Sequence, residues 1–345
     1  MADQTLAAKE AMMKTSAWTI PDLLQLSGGY WSTCALHAGV RLDIFGALEG
    51  TPRTAVDVAQ LLGSDPRGTA MLLDALASLA LLEKRDNTYL STPFAADHLS
   101  RTSPAYMGHI IMHHHHLMAD WARLHEAVQS GGPIRERVAH GDDETVRESF
   151  LMGMFNLASL LAPRIAQIID LSGSRRLLDL GGGPGTYAIH FCNANPGLSA
   201  VVYDLPTTRT FAEGAIARFD LSQRIAFTAG DYHVDPVPNG FDAAWLSHIL
   251  HSDGPAACAA LLRKAAAALN PGGILMVQEF ILDDAKDGPQ FPALFSLNML
   301  LGTEAGQSYS GCELTAMMRE AGLTDVYRLA LELPNGAGVL TGRKL

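Results

Sequence analysis

The chain has 345 residues, of which 48% are hydrophobic and 18% are charged, and its formal net charge is -11 at pH 7. This composition is typical of a globular protein and excludes an extended disordered chain. The acidic balance argues against general affinity for nucleic acids or for anionic membranes.

The cysteines and the N-terminus bear on the cellular compartment. The four cysteines lie far apart and form no CxxC pair, which argues against a disulfide framework or a zinc knuckle. The first residues contain no continuous apolar core of a secretory signal. The sequence contains no uninterrupted run of about 18 apolar residues, so no membrane span is predicted. We therefore expect a cytoplasmic protein without a membrane segment.

The first hundred residues show short helices followed by a β-hairpin. Residues 38–48 are apolar at helical spacing. Thr54 is a suitable N-cap for a helix that ends at Gly63, and Asp65 suits the start of a longer helix. The segment 81–92 has the pattern of two short strands around a turn. Together these elements predict a winged-helix domain.

Many winged helices bind DNA, but the charge of this one argues against that role. Residues 1–100 contain seven Lys and Arg against eleven Asp and Glu, a net charge of -4. A DNA-binding surface requires an excess of basic residues. We therefore predict that residues 1–100 form a dimerisation domain.

Residues 101–174 are predicted to form a helical linker between the dimerisation domain and the remainder of the chain. The pattern indicates one helix from Tyr106 to about Val128 and a second from Glu144 to about Leu171. The first of these carries the sequence GHIIMHHHHLMADW, in which three histidines and an aspartate share one helical face: His109, His113, His116 and Asp120. Such a set could bind a metal, line a substrate pocket or form a solvated stripe. The substrate pocket is favoured, and no metal is predicted.

From Arg175 the pattern changes to apolar strands that alternate with helices. This alternation predicts a parallel sheet with helices on both faces. Near the C-terminus, Asn335-Gly336 between two apolar segments predicts an antiparallel hairpin. The fold class is therefore α/β, with a Rossmann-like sheet over residues 175–345.

A glycine-rich loop, LLDLGGGPG, follows the first of these strands. Gly181, Gly182 and Gly183 allow the backbone to approach a ligand closely at the carboxyl edge of the sheet. At the end of the next strand lies Asp204, whose carboxylate can accept hydrogen bonds from both hydroxyls of a ribose. Leu205, which follows it, is included in the predicted site.

The end of the third strand adds a further element at the same edge. Gly230 is followed by Asp231, which suits the exocyclic amine of an adenine, and by Tyr232, which could pack on the ring. With the glycine loop and Asp204, these residues predict a cofactor that contains adenosine.

The spacing of the loop distinguishes two such cofactors. Gly181, Gly183 and Gly185 form GxGxG and not the GxGxxG of dinucleotide-binding proteins. Asp179, two residues before the loop, suits a cofactor with a cationic amino-acid end. We therefore predict S-adenosylmethionine and not a nicotinamide dinucleotide.

From about residue 28 onwards, the sequence resembles the plant-type small-molecule O-methyltransferases and their bacterial relatives. The resemblance is carried by the segments ALHAGVRLDIFGAL, LLDLGGGPG, VVYDLP, AGDY, SHILH and VQEFIL. It implies a methyltransferase that forms a homodimer through its winged-helix domain. It also implies that Ser247 occupies a position at which many relatives have a cofactor-contacting Lys.

The resemblance assigns the general base of the family to His251 and the carboxylate that orients it to Glu279. A second glutamate that is usual in the family is replaced by Ser308. An imidazole beside a carboxylate suits removal of a proton from a hydroxyl, so O-methylation is predicted. A sulfur or carbon acceptor needs no such proton removal, so S- or C-methylation, for example of a thioether carboxylate to a sulfonium, is the alternative. A winged-helix protein that senses a ligand without catalysis is a further alternative.

By the same resemblance, the substrate site involves the helices of residues 101–174. The predicted substrate contacts are His113, His116, Phe150, Met154, Asn156 and Ser308.

Overall fold

The computed structural model describes residues 18–136 and 143–345. The contacts divide the chain into two compact units, with the boundary after Gly108. The first 17 residues, in which we expect no secretory signal, lie outside the described part of the chain.

The first unit consists of short helices and a small sheet. In chain order its elements are α1 (Ile20–Gly28), α2 (Tyr30–Arg41), α3 (Ile44–Ala47), β1 (Arg53–Thr54), α4 (Ala55–Leu62), α5 (Pro66–Ser78), β2 (Leu82–Arg85), β3 (Thr88–Ser91) and α6 (Pro93–Leu99). The strand order is β1-β3-β2, and both pairings are antiparallel. The hairpin of β2 and β3 lies where the sequence predicts it.

Local capping explains the helix boundaries of this unit. The Thr54 hydroxyl accepts a hydrogen bond from the Asp57 N–H at 3.2 Å, and the Asp57 carboxylate accepts one from the Thr54 N–H at 3.1 Å. This capping box satisfies two otherwise unpaired groups at the start of α4. The prediction of one continuous helix over residues 38–48 is wrong, because this segment is divided between α2 and α3. It is interrupted at Asp43, whose φ of 57° is left-handed and incompatible with a continuing α-helix.

The second unit contains the large sheet. After α7 (Gly108–Trp121), whose first residue precedes the boundary, its elements are α8 (Leu124–Ser130), α9 (Glu144–Ile168), β4 (Arg176–Leu180), α10 (Thr186–Ala194), β5 (Ser199–Asp204), α11 (Arg209–Arg218), β6 (Ile225–Ala229), β7 (Phe241–Ser247), α12 (Pro255–Ala268), β8 (Leu269–Leu282), α13 (Gln290–Gly302), β9 (Tyr309–Ser310), α14 (Gly311–Glu320), β10 (Leu323–Arg328) and β11 (Ala337–Lys344). Short 3₁₀ turns lie at Pro206–Thr208, Leu250–Ser252 and Pro334–Gly336.

The strand order of the large sheet is β10-β11-β8-β7-β4-β5-β6. The five neighbouring strands β8, β7, β4, β5 and β6 are parallel. Strand β11 pairs antiparallel with both β8 and β10. Alternate residues along each strand face opposite sides. Trp245 belongs to the core beneath α9 and α10, whereas Leu246 belongs to the core beneath α12 and α14. The Rossmann-like α/β architecture is thus confirmed, and it gathers the carboxyl ends of the parallel strands at one edge.

Two predicted helices differ from the structure in their extents. The helix predicted from Tyr106 to Val128 is divided by a break after Trp121. The helix predicted from Glu144 to about Leu171 continues through Pro163 and ends at Ile168. A proline inside a helix costs about 3 kcal/mol, and burial of Ala162 and Ile165 in the core beneath this helix offsets that cost.

The predicted C-terminal hairpin is present, but its first strand is shorter than expected. β10 ends at Arg328, and Asn335, with a φ of 58°, lies in a 3₁₀ turn that leads into β11. The residues between Arg328 and Pro334 form no strand, so the connection is longer than a two-residue turn.

One of the described helices, α9, has the length and apolar composition of a membrane span. Buried helices of globular proteins meet the same criterion. Because α9 packs against α10 and contributes Ile165 and Ala166 to a core cluster, its apolar character is explained by that packing.

Candidate active site

The glycine loop joins β4 to α10 at the carboxyl edge of the sheet. Gly181 and Gly183 have φ values of 67° and 53°, in the left-handed region that favours glycine. A Cβ atom at Gly181 would lie 2.8 Å from Cγ2 of Ile249, so no larger residue fits there without a shift. The adjacent Gly182 approaches Asp179 closely, and a Cβ there would lie 2.5 Å from its Cγ. The loop is therefore packed on its inner side and presents its backbone outward.

The Asp204 carboxylate at the end of β5 is bonded to this loop. Its Oδ2 accepts a hydrogen bond from the Gly183 N–H at 2.8 Å, and its Oδ1 accepts one from the Leu205 N–H at 2.7 Å. Burial raises the pKa of Asp204, whereas these backbone donors oppose the rise. Oδ1 also accepts a hydrogen bond from the Thr208 hydroxyl at 3.0 Å. The remaining acceptor capacity for a ribose therefore lies on Oδ2, which has a second lone pair.

The third predicted element lies beside the other two. The Gly230 N–H donates to the Asp204 carbonyl at 2.9 Å. The Asp231 carboxylate accepts a hydrogen bond from the His233 N–H at 2.8 Å. The Tyr232 ring reaches within 3.4 Å of where a Cβ of Gly181 would lie. The ends of β4, β5 and β6 thus form one continuous surface.

Asp179 lies beneath the glycine loop and is 1% exposed. Its Oδ2 accepts a hydrogen bond from the Ala188 N–H at 3.2 Å, whereas its buried Oδ1 has no hydrogen-bond partner among the described residues. Burial raises the pKa of this carboxyl to about 7. A buried, incompletely satisfied carboxylate fits a cationic ligand group. Together with Asp204, it fits a cofactor with a ribose and an ammonium group.

A second cluster forms where β7 and β8 end. Nδ1 of His251 lies 2.8 Å from Oε2 of Glu279, and both residues are buried. Glu279 lies within β8, and its Oε1 accepts hydrogen bonds from the N–H groups of Leu250 and His251 at 2.8 and 3.4 Å. Burial alone would raise the pKa of Glu279. The imidazoles of His251 and His248 outweigh that effect and hold its pKa well below the ordinary value.

His248 was not among the residues singled out from the sequence. It has a left-handed φ of 55°, and its Nδ1 lies 3.7 Å from the same Oε2 of Glu279. The spacing of the two histidines in SHILH is the signal that could have indicated it. Only the left-handed backbone turns both rings toward one carboxylate.

An aromatic wall surrounds the imidazole of His251. Phe295 contacts it edge-on, with ring centroids 4.8 Å apart, and Phe280 lies tilted against His248 with ring centroids 4.2 Å apart. Phe291 lies 4.8 Å from Phe280. These rings create an apolar environment suited to a flat aromatic ligand.

Two predicted site residues are bonded to neighbouring protein groups. The Ser247 hydroxyl donates to Oε1 of Gln278 at 3.2 Å. The Ser308 hydroxyl is buried and donates to the Pro292 carbonyl at 2.9 Å. Ser308 thus supports the start of α13 in this structure and has no carboxylate to offer to a histidine.

The remaining predicted substrate residues lie on α7 and α9. The rings of His113 and Phe150 are 5.3 Å apart, and Met154 follows Phe150 by one helical turn. His116 is half-buried on α7, and Asn156 is half-buried on α9. The His113 side chain of α7 therefore contacts the α9 helix that carries the predicted substrate residues.

A grouping of possible metal ligands occurs elsewhere in the second unit. Within residues 18–136 and 143–345, one ring nitrogen each of His248 and His251 and one carboxylate oxygen of Glu279 lie within 4.8 Å of one another. The histidines of α7 are not part of this grouping.

Comparison with known proteins defines the class of this site. A sequence model of the O-methyltransferase domain matches residues 121–324, and one of the O-methyltransferase dimerisation domain matches residues 24–101. The chain is 37% identical to 3-hydroxy-5-methyl-1-naphthoate 3-O-methyltransferase of Streptomyces sahachiroi, over 93% of this chain and 94% of that one.

Solved structures agree with this match. PigF with S-adenosylhomocysteine superposes with a TM-score of 0.86 at 27% identity, covering 95% of this chain and all of that one (100%). Human N-acetylserotonin methyltransferase in complex with S-adenosylmethionine gives a TM-score of 0.81 at 27% identity, covering 96% and 99% of the two chains.

These findings identify an S-adenosylmethionine-dependent methyltransferase. More specifically, the chain belongs to the O-methyltransferase family and carries its dimerisation domain. The predictions of the enzyme class and of the cofactor are confirmed, and a non-catalytic ligand sensor is set aside.

Proposed function

We propose that the protein methylates a hydroxyl group on the ring of a small aromatic molecule, with His251 as the general base. The observation that carries this proposal is the 2.8 Å contact between Nδ1 of His251 and Oε2 of Glu279. The ionised carboxylate only accepts hydrogen bonds, so Nδ1 carries the proton and Nε2 keeps its lone pair for the substrate.

The chemistry requires a base at this position. S-adenosylmethionine supplies a methyl group on a positively charged sulfur, which leaves as a neutral thioether when the new C–O bond forms. A phenol has a pKa near 10, so the hydroxyl must lose its proton to attack efficiently at pH 7. His251 takes that proton on Nε2, and the anionic Glu279 stabilises the resulting imidazolium. The proximity of the two groups therefore supports O-methylation over the alternatives.

The residues that we propose to hold the cofactor line the carboxyl edge of the sheet. Asp204 would bind the ribose, Asp231 and Tyr232 the adenine, and Asp179 the amino-acid end. Their neighbours in the proposed cofactor site are Gly181, Gly182, Gly183, Leu205, Gly230 and Ser247.

The acceptor is proposed to lie against the aromatic wall beside His251. A ring hydroxyl fits this wall because Phe280 and Phe295 present flat apolar surfaces. The relative from Streptomyces sahachiroi, which methylates a naphthoate, supports an acceptor of this type. We retain His113, His116, Phe150, Met154, Asn156 and Ser308 as proposed residues of the acceptor site or its support.

We propose that the protein is a homodimer formed through the first unit. Six large apolar residues of α1 and α2 are between 53% and 70% exposed: Ile20, Leu23, Leu24, Leu26, Tyr30 and Trp31. So many exposed large apolar residues on two consecutive helices are unusual on a monomer, and the matched dimerisation domain begins at residue 24, within α1. A second copy of the chain is therefore the proposed occupant.

The remaining proposals concern organisation and location. We propose residues 1–100 as the dimerisation domain, 101–174 as helices that contribute to the acceptor site, and 175–345 as the cofactor domain. A cytoplasmic location is proposed because all four cysteines are free thiols, as is usual in a reducing compartment.

The test is a methyl-transfer assay with S-adenosylmethionine labelled in its methyl group. A naphthol is offered beside its methyl ether, which has no free hydroxyl, and beside a thioether carboxylate. We expect labelled ether from the naphthol and no label on the other two compounds. Label on the thioether acid alone would replace O-methylation with S-methylation.

A further inference from the structure

A mostly buried arginine lies in the second unit, outside the cluster of His251 and Glu279. The side chain of Arg135 is 15% exposed, and its Nε lies 3.5 Å from Oδ2 of Asp120. Its Nη1 donates a long hydrogen bond of 3.4 Å to the Glu136 carbonyl. Burial lowers the pKa of Arg135, but a guanidinium remains charged in a protein. A buried cation with such weak pairing retains donors for an anion.

The position of this guanidinium depends on a glycine at the end of α13. A Cβ at Gly302 would lie 2.7 Å from Cζ of Arg135, so the guanidinium rests directly on the helix backbone. The Ile134 N–H donates to the Leu301 carbonyl at 3.1 Å and anchors the segment that carries Arg135. The arginine is thus held in place on α13 by its own backbone and by the absence of a side chain at Gly302.

A buried histidine faces the same region. His113 is 8% exposed, and its Nδ1 has no hydrogen-bond partner among the described residues. It precedes Asp120 by seven residues on α7, so the two share one helical face. Burial, together with the charges of His114, Arg135 and His116, lowers the pKa of His113 to about 3. At neutral pH it therefore offers one N–H donor and no charge.

The helix α13 connects this cluster to the proposed base. Phe295, Asn298 and Gly302 follow one another at helical spacing of three and four residues, so they share a face. Phe295 contacts His251, whereas Gly302 supports Arg135. Asn298 lies between them, and its buried Oδ1 has no partner among the described residues. Seven residues of helix span about 10 Å.

We propose that Arg135 and His113 bind a carboxylate of the acceptor, which is therefore an aromatic hydroxy acid. Its hydroxyl lies at His251, and its carboxylate lies about 10 Å away along α13. Asn298 is placed to bind a polar substituent between the two ends. A guanidinium matches a planar carboxylate with two parallel hydrogen bonds, which favours this anion over a tetrahedral one. This inference rests on the proposed function and adds the substrate class to it.

The test compares two acceptors in the wild type and in Arg135→Gln. The probes are a hydroxynaphthoate with its two groups on opposite rings and the naphthol that lacks the carboxylate. Binding to the enzyme saturated with S-adenosylhomocysteine is measured by calorimetry, and turnover is measured separately. A charged hydrogen bond lost on substitution weakens binding of the hydroxynaphthoate by about 30-fold or more, with naphthol binding unchanged.

Two further variants keep the experiment decisive. Gly302→Ala displaces the guanidinium without removing it. Like Arg135→Gln, it is expected to weaken binding of the hydroxynaphthoate. Arg123→Gln, on an exposed arginine, is the matched control and leaves both affinities unchanged. Unchanged naphthol binding by Arg135→Gln shows that the variant is folded.

The outcomes separate this inference from the proposed function. Equal affinity of the wild type and Arg135→Gln for the hydroxynaphthoate overturns the carboxylate site, whatever the turnover. Tight binding that depends on Arg135, without methylation of either probe, supports the site and counts against aromatic O-methylation. A wild type that binds the naphthol as tightly as the hydroxynaphthoate also overturns the proposal.

Discussion

Nδ1 of His251 lies 2.8 Å from Oε2 of Glu279, although the two residues are 28 positions apart. The other oxygen of the same carboxylate binds the backbone N–H groups of Leu250 and His251. One buried side chain thus fixes both the ring of the proposed base and the turn that carries it.

Replacement of His251 by Asn is expected to reduce turnover at least about 100-fold, because general-base catalysis contributes about that much or more. Binding of S-adenosylhomocysteine should be unchanged, since the residues proposed to bind its ribose, adenine and amino-acid end lie at β4, β5 and β6, away from the turn of His251. Kinetics and calorimetry on the same preparation provide both values. The exposed His125→Asn is the matched control, and near-normal turnover by His251→Asn would exclude its role as the base.

Glu279→Gln is expected to reduce turnover by about 10-fold or more, because an amide cannot stabilise the imidazolium as a carboxylate does. The variant also has a pH signature. The lowered pKa of Glu279 stabilises the fold above the ordinary pKa, and this contribution is lost as the pH falls below about 4.3. The difference in free energy of unfolding between the wild type and the variant should therefore shrink with acidification. A difference that grows on acidification would contradict the ionised pair.

Asp179 predicts the opposite pH dependence. Because burial raises the pKa of Asp179 to about 7, the folded protein holds a proton that the unfolded chain releases near pH 4. The ligand-free protein should therefore lose stability as the pH rises from about 4 to about 7, by up to about 4 kcal/mol from this group. Asp179→Asn removes that slope.

The same carboxyl predicts how cofactor binding responds to pH. An ammonium group beside Asp179 favours its ionised form, so binding of S-adenosylhomocysteine should strengthen as the pH rises toward 7. Calorimetry at several pH values, with Asp179→Asn beside the wild type, measures this effect. Weaker binding by the variant without the pH dependence is the expected result, and equal pH profiles would remove Asp179 from the cofactor site.

Trp31→Glu is expected to convert the dimer into a monomer. The indole is 70% exposed on α2, and a charge placed in the core of an apolar interface costs several kcal/mol of association free energy (about 2–5). Sedimentation equilibrium measures the change in mass. Val234→Glu, at an exposed apolar residue of the second unit, should leave the association state unchanged, and a dimeric Trp31→Glu would place the interface elsewhere.

Much of the cofactor edge follows from local sequence. The alternation of strands and helices, the glycine loop and Asp204 at a strand end are short-range patterns, and parallel topology necessarily brings strand ends together. Two helices differ from their predictions because of conditions that the apolar pattern does not record. Asp43 adopts a left-handed backbone, and the helix continues through Pro163 because Ala162 and Ile165 on the same helix are buried.

The sequence by itself determined the fold class, the cofactor and the family, because each is encoded in the spacing of nearby residues. Only the tertiary structure decided that His248 shares the carboxylate of Glu279, since this depends on a left-handed backbone at one residue. The tertiary structure also placed the guanidinium of Arg135 against Gly302, although these two residues are far apart in the chain. Contacts of this kind depend on packing between distant segments, and no local periodicity records them.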